Sequence, residues 1–182
     1  MKKPHLIGEI WPFVLPLLQN EIFHFENGIQ EMLNNVVSQK ELLSSTQFYE
    51  KIIVNEEKFE CAIIWLDEDN ANFLNSFCNT IPTPNGGTHE NTLKSSLLKS
   101  IRNYANLNEF KKFSDILFED IFKNIGIILS IFIKNPQFQG QTKEKLTNED
   151  INKIFENPLK NRIENWLVNN KKIGSAILER VI

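Results

Sequence analysis

Apolar positions along this chain switch between a period of two and a period of about 3.6, and the switches mark its elements. Ile29, Met32, Leu33, Val36 and Val37 recur at helical spacing, predicting an amphipathic helix over 29–38. Residues 47–55 and 58–66 read as two strands joined at Asn55-Glu56-Glu57, a hairpin turn without glycine. In the second of these, Phe59, Cys61, Ile63 and Trp65 share one face by strict alternation. A third strand is predicted over 73–81, ended by Pro82 and Pro84. A helix then opens at Thr88 or Glu90 and runs to about Asn106, with Leu93, Leu97, Leu98, Ile101 and Tyr104 as its buried stripe. After a short helix at 118–123, residues 125–133 are so continuously apolar that they predict a central strand covered on both sides. A long helix over 148–169, with a kink at Pro158, and a last short helix over 173–182 complete the pattern.

The first quarter is less regular. Ile22, His24 and Glu26 alternate with Phe23 and Phe25, a short strand that Asn27-Gly28 ends, with His24 a strand-face histidine. Residues 1–19, broken by Pro4, Pro12 and Pro16, form an irregular apolar segment that needs a partner surface to cover it. Together the elements predict an α+β fold in two layers, with about four mostly antiparallel strands and helices on one face. Residues 20–170 make the main domain, and 171–182 begin a C-terminal connecting helix.

Composition narrows the function. With 41% hydrophobic residues and 14 phenylalanines in 182 residues, the chain has material for one packed core. A net charge of −3 gives no global basic field, so contact with DNA would have to come from a local basic patch. Lys94, Lys99, Arg102, Lys111 and Lys112 are that candidate, although such residues equally make an ordinary solvated face. Cys61 and Cys78 sit in strand-like runs without metal-ligand spacing and read as buried reduced thiols, which favours a cytoplasmic setting. The apolar run from Ile10 to Leu18 is too short to span a bilayer. Asp67-Glu68-Asp69-Asn70 lacks the glycine and distal glutamate of a calcium loop and reads as a solvated turn. The chain holds no paired nucleophile and base, no Walker loop and no dinucleotide fingerprint.

Two loops carry the remaining chemistry. In Asn85-Gly86-Gly87-Thr88-His89-Glu90, two glycines permit positive φ and the threonine hydroxyl is placed to cap the next helix. In Gln139-Gly140-Gln141-Thr142-Lys143, an amide, a hydroxyl and an ammonium lie within three residues, a set suited to phosphate oxygens. By residue chemistry alone the ordinary reading of Lys143 and Lys145 is the start of a charged, exposed helix.

These motifs resemble the transducer domain of the B subunits of bacterial type II topoisomerases, closest to those of topoisomerase IV. Ile22–Ile29 is similar to the family's opening strand and glycine turn, with Asn27 where a glycine is usual. Gly86–His89 matches its Gly-Gly-Thr-His loop, and Gln141-Thr142-Lys143 within 136–146 matches its most specific signature. The resemblance runs from about residue 20 to the end. It implies a ribosomal-protein-like fold with a left-handed crossover, against the usual hand. It also implies that Gln141 and Lys143 contact the γ-phosphate of ATP held by a separate ATPase domain, and that helix residues after Gly86–His89 face a cavity for duplex DNA. Lys94 and Lys99 stand where arginines are common, which keeps charge and loses the bidentate fork. Thr92, Phe118 and Asn124 depart from the pattern, and residues 1–19 match nothing in it. ATP would be shared with the ATPase domain, Mg2+ would belong to the complete enzyme, and the A subunit of topoisomerase IV would be a further partner. The motifs of the ATPase and metal-binding domains are missing, so the expectation is a fragment that is inactive alone. The alternatives are the matching segment of the gyrase B subunit, or a stand-alone scaffold that has kept the fold.

Overall fold

The computed structural model describes residues 28–68, 71–110 and 115–181. The expected strand at Ile22–Glu26, the apolar segment 1–19, Lys111 and Lys112 lie outside the described residues.

Five strands form one sheet: β1 (Phe48–Val54), β2 (Glu57–Trp65), β3 (Phe73–Cys78), β4 (Ile81–Pro82) and β5 (Ile125–Phe132), in the spatial order β1-β2-β5-β3-β4. Every neighbouring pair is antiparallel except β3 and β5. The helices are α1 (Ile29–Val36), α2 (Thr88–Leu107), α3 (Phe118–Phe122), α4 (Asp150–Asn169) and α5 (Lys171–Val181). Parallel strands need a long crossover, and α2 and α3 lie in the connection from β3 to β5.

The hairpin without glycine is real. β1 and β2 are joined by Asn55 (φ 50°) and Glu56 (φ 72°), a two-residue turn whose positive φ values match the strand twist. A second such turn corrects the expected strand over 73–81. Asn79 (φ 48°) and Thr80 (φ 69°) reverse the chain after Cys78, and Ile81–Pro82 return along β3 as β4. Pro82 therefore sits on the sheet edge, where its missing N–H costs no ladder bond. Asn79 clamps the turn to β5, accepting from Ile133 N–H at 2.9 Å and donating to Ile133 O at 2.9 Å.

β5 lies at the centre of the sheet, as its continuous apolar run predicts. Alternation sorts β2 and β5 onto two faces. Phe59, Cys61, Ile63 and Trp65 with Ile127, Leu129 and Ile131 face the main core, against Leu93, Leu97 and Ile101 of α2 and Phe155, Leu159 and Ile163 of α4. Trp65 stacks on Trp166 of α4 with centroids 5.3 Å apart, and α5 buries Ile177 and Leu178 in the same core. The opposite face, Ala62, Ile64 and Ile128, is covered by Leu33 and Val37 of α1 and its end. Helices thus lie on both faces, where the sequence pattern suggested one. A central strand apolar on both sides needs cover on both.

α2 and α4 meet through hydroxyls as well as leucines. Thr92, Ser96 and Ser100, four residues apart, are buried; Ser96 Oγ donates to Glu156 O and Ser100 Oγ to Lys160 O, each at 3.1 Å. Small residues at this spacing let the two backbones approach, and the hydroxyls remain satisfied. This stripe was readable as i, i+4, i+8 in the sequence, but polar residues are ordinarily assigned to the solvent side.

Candidate functional site

The two glycine-bearing loops, more than 50 residues apart, are hydrogen-bonded to each other. Asn85 N–H donates to Glu144 O (3.0 Å), Leu146 N–H to Gly86 O (3.0 Å), and Thr88 N–H to Leu146 O (3.0 Å). Gly87 pairs with Leu146 as a parallel bridge. Here glycine is required twice over. Gly87 has φ 140° and ψ −161°, a glycine-only region. A Cβ built on it would also lie 2.2 Å from Leu146 O.

The second loop is a small hairpin. Gln139 N–H donates to Lys145 O (2.9 Å) and Thr147 N–H to Gln137 O (2.8 Å), with Phe138 bridged to Leu146. Asn148, buried, closes the base by accepting from Gln137 N–H at 2.7 Å and donating to Asn135 O at 3.0 Å. The tip turns through Gly140 (φ 76°) and Lys143 (φ 57°). Gln141, Thr142 and Lys143 are all exposed, and none forms a side-chain hydrogen bond or ion pair with a described residue. An amide, a hydroxyl and an ammonium are therefore free to meet an anion. Asn85 Nδ2 donates to the Glu144 carboxylate at 2.8 Å, beside that tip.

Beneath the first loop runs a buried polar chain. His89 Nε2 lies 3.0 Å from Thr83 Oγ1, which is 2.6 Å from Ser76 Oγ. Ser76 Oγ lies 2.7 Å from Glu90 Oε1, and Lys94 pairs with Glu90 at 3.2 Å. Burial pushes the His89 pKa down to about 4, helped by the positive charge of Lys94, so the ring is neutral. Fully buried and with its pKa lowered this far, the ring is a packing element here and a poor proton acceptor. The Thr88 hydroxyl does not cap α2: it lies inside the helix and, like His89 Nδ1, has no hydrogen-bond partner among the described residues. The Thr88 backbone, not its side chain, makes the useful bond. Cys61 and Cys78 are buried free thiols, as expected, both pushed above the ordinary thiol range by burial.

Lys94, Lys99 and Arg102 do not form one bare basic surface. Lys94 is held by Glu90 and sits 5.6 Å from the centroid of Phe118. Lys99 pairs with Glu156 of α4, whose carboxyl is held below its usual range first by that bond and then by Ser95. Arg102 is forked onto the Ile116 carbonyl, 2.9 Å from Nε and 2.5 Å from Nη2. Two of the three therefore lie toward α3 and one toward α4.

No described group of three or more His, Cys, Asp or Glu side chains is placed to hold a metal ion. Among the described residues no helix is long and apolar enough to cross a membrane.

The family model described as DNA gyrase B matches residues 28–182. The chain belongs to that family. Curated relatives of this gyrase B-like chain include the B subunit of DNA topoisomerase 4 from Rickettsia prowazekii, 39% identical over 163 residues. That match covers 88% of this chain and 25% of the relative. The protein of the same name from Caulobacter vibrioides is 35% identical over 165 residues, covering 88% of this chain and 24% of the relative. The gyrase B-like chain thus spans about a quarter of the length of these relatives. Among solved structures, the topoisomerase IV ATP-binding domain of Francisella tularensis superposes with a TM-score of 0.73 at 29% identity, covering 87% of this chain and 42% of that one. The 43K ATPase domain of Thermus thermophilus gyrase B shares the fold with a TM-score of 0.76 at 24% identity, covering 85% of this chain and 42% of that one. Fold and family agree with the resemblance read from the two loops, and the curated relatives named here carry the topoisomerase 4 name.

Proposed function

We propose that this gyrase B-like chain acts as the transducer segment of a topoisomerase IV B subunit, with residues 20–170 as the transducer and 171–182 beginning a connecting helix. Gln141 and Lys143 would contact the terminal phosphate of an ATP bound in a separate ATPase domain. The observation that carries this reading is the turn at Gly140–Lys143, which holds an exposed ammonium and amide, neither with a side-chain partner among the described residues, at the tip of a pinned hairpin. A cation so placed attracts a terminal phosphate most strongly where the closed site excludes water. It loses that anchor once the phosphate leaves. Because Leu146 is bonded to Gly86 and Thr88, a shift of the hairpin pulls on the first turn of α2.

ATP supplies the terminal phosphate and the free energy of its hydrolysis. Mg2+ would belong to the complete enzyme. Duplex DNA and the A subunit of topoisomerase IV are the remaining proposed partners, in the cytoplasm. Lys94, Lys99 and Arg102, with Lys111 and Lys112, would give DNA a weak electrostatic contact, because the first three are already engaged.

The test is a chimera in which this chain replaces the matching segment of the Francisella tularensis protein, assayed for ATP hydrolysis. Lys143→Ala should lower the rate by about 10²-fold, as expected for one lost charge-stabilising donor. Lys143→Arg should restore it in part, because a forked guanidinium does not occupy the place of a compact ammonium. Lys145→Ala should change little. Equal rates for the unchanged chain and Lys143→Ala would leave only the scaffold reading.

A further inference from the structure

We infer that Asn85 and Glu144 are positioning residues for Lys143, holding the tip of the second loop in the backbone conformation that presents its ammonium and keeping that ammonium free of its own neighbour's charge. The inference rests on the reading that Lys143 meets a phosphate.

Lys143 has φ 57°. An L-residue in this left-handed region is strained, and it stays there only where its surroundings over-determine it. Between Gln139 and Lys143 the tip supplies little restraint of its own. Gly140 turns at φ 76° with no atom within 4 Å of the Cβ it lacks, and Gln141 and Thr142 are exposed. On its C-terminal side the restraint is dense. Glu144, half-buried between exposed Lys143 and Lys145, is gripped twice by Asn85, through O at 3.0 Å and through the carboxylate at 2.8 Å. The two arms of the hairpin are tied at Gln139 and Lys145, and the residue next to Lys143 is tied to the first loop by Asn85.

The same contact settles a charge problem. Glu144 is the nearest carboxylate in sequence to both Lys143 and Lys145, yet it forms no ion pair with either. Its oxygen accepts instead from the neutral Asn85 amide. A Glu144 released from Asn85 would be free to turn back on Lys143, and a neutralised lysine would compete poorly for phosphate. Asn85 therefore both shapes the tip and withholds a competitor.

Asn85 is exposed, so Asn85→Ala leaves the core untouched. In the isolated chain, Asn85→Ala and Glu144→Ala should each speed amide exchange at Gln139 by about tenfold, the scale of one lost hydrogen bond. Glu144→Gln keeps an acceptor oxygen and should not. In the chimera, Asn85→Ala should lower kcat for ATP by about tenfold with KM nearly unchanged, since the interaction it weakens is one that strengthens at the transition state. Glu144→Gln should stay close to the unchanged chain. In a Lys143→Ala background, Asn85→Ala should have no further effect, which a merely structural role would not produce. Unaltered exchange at Gln139 in Asn85→Ala and Glu144→Ala overturns the inference whatever the chimera does. So do additive losses for Asn85→Ala and Lys143→Ala. Faster exchange together with a wild-type rate for Lys143→Ala shows instead that the phosphate reading has failed, and the positioning role falls with it.

Discussion

Substituting Gly87 by alanine strikes the joint between the two loops. The new Cβ would meet three backbone atoms of Leu146 at 2.2, 2.6 and 2.9 Å, none of which can swing aside as a side-chain end could. Relief by rotating position 87 is closed as well, because φ 140° with ψ −161° is a conformation that only glycine adopts freely, costing other residues about 1–3 kcal/mol. The loops must therefore part, and the bonds from Leu146 N–H to Gly86 O and from Thr88 N–H to Leu146 O go with them. At about 1 kcal/mol for each bond, strain and lost bonding together come to about 3–5 kcal/mol. For a domain of this size that lowers the midpoint of thermal unfolding by on the order of 10 °C. Urea unfolding followed by circular dichroism measures the loss, and amide exchange at Leu146 and Thr88 locates it. Gly140→Ala is the internal comparison. It also has a positive φ, 76°, but open space around it, so only the left-handed penalty of about 1–2 kcal/mol applies. If Gly87→Ala cost no more than Gly140→Ala, the close approach of the loops would not be what makes Gly87 necessary.

Three further outcomes can be measured on the chain itself. The His89 pKa falls from 6.5 to about 4 on folding, so unfolded chains take up its proton first as the solution is acidified. Its contribution is complete above pH 6.5 and is lost as pH falls toward 4, by roughly 3 kcal/mol in total, and His89→Gln should flatten that part of the stability profile. Isothermal calorimetry with a non-hydrolysable ATP analogue should show no saturable heat for the isolated chain, because one lysine turn does not make a nucleotide pocket; micromolar binding would contradict this. Duplex binding, if detected by titration, should be weak, independent of sequence and steeply weakened by salt, and a salt-insensitive affinity would remove the α2 lysines from consideration.

Local chemistry was legible in the sequence. The strand-like runs placed β1 and β2, the continuous apolar run placed β5, and the helical spacing of Leu93, Leu97, Ile101 and Tyr104 placed the buried side of α2. Gly86–Gly87 and Gln141–Lys143 marked the two turns that matter, because each needs residue types that few other settings tolerate. The errors came where one signal overwrote another. The reversal at Asn79 and Thr80 carries no glycine to mark it; asparagine tolerates positive φ, whereas β-branched Thr80 is an unusual residue at φ 69°. The helix α1 went to the second face of the sheet because both sides of β2 and β5 are apolar, and a pattern of spacings carries no information about which helix covers which side.

Tertiary structure decided what each charged residue is for. Lys94, Lys99, Arg102 and Lys143 are all basic residues beside turns or on a helix, and apart from Glu90 four residues before Lys94 the spacing does not separate them. Glu90, Glu156 and the Ile116 carbonyl engage the first three, while Lys143 alone of the four is left without a partner among the described residues. Glu90 is a helical neighbour of Lys94, four residues away, but Glu156 for Lys99 and Asn85 for Glu144 come from some sixty residues away. Pairing over that distance depends on how the sheet and helices bring segments together, and free energy assigns it only once the core has packed. The sequence determined which turns could form; the packed core determined that they form against each other, with the ammonium of Lys143 left free.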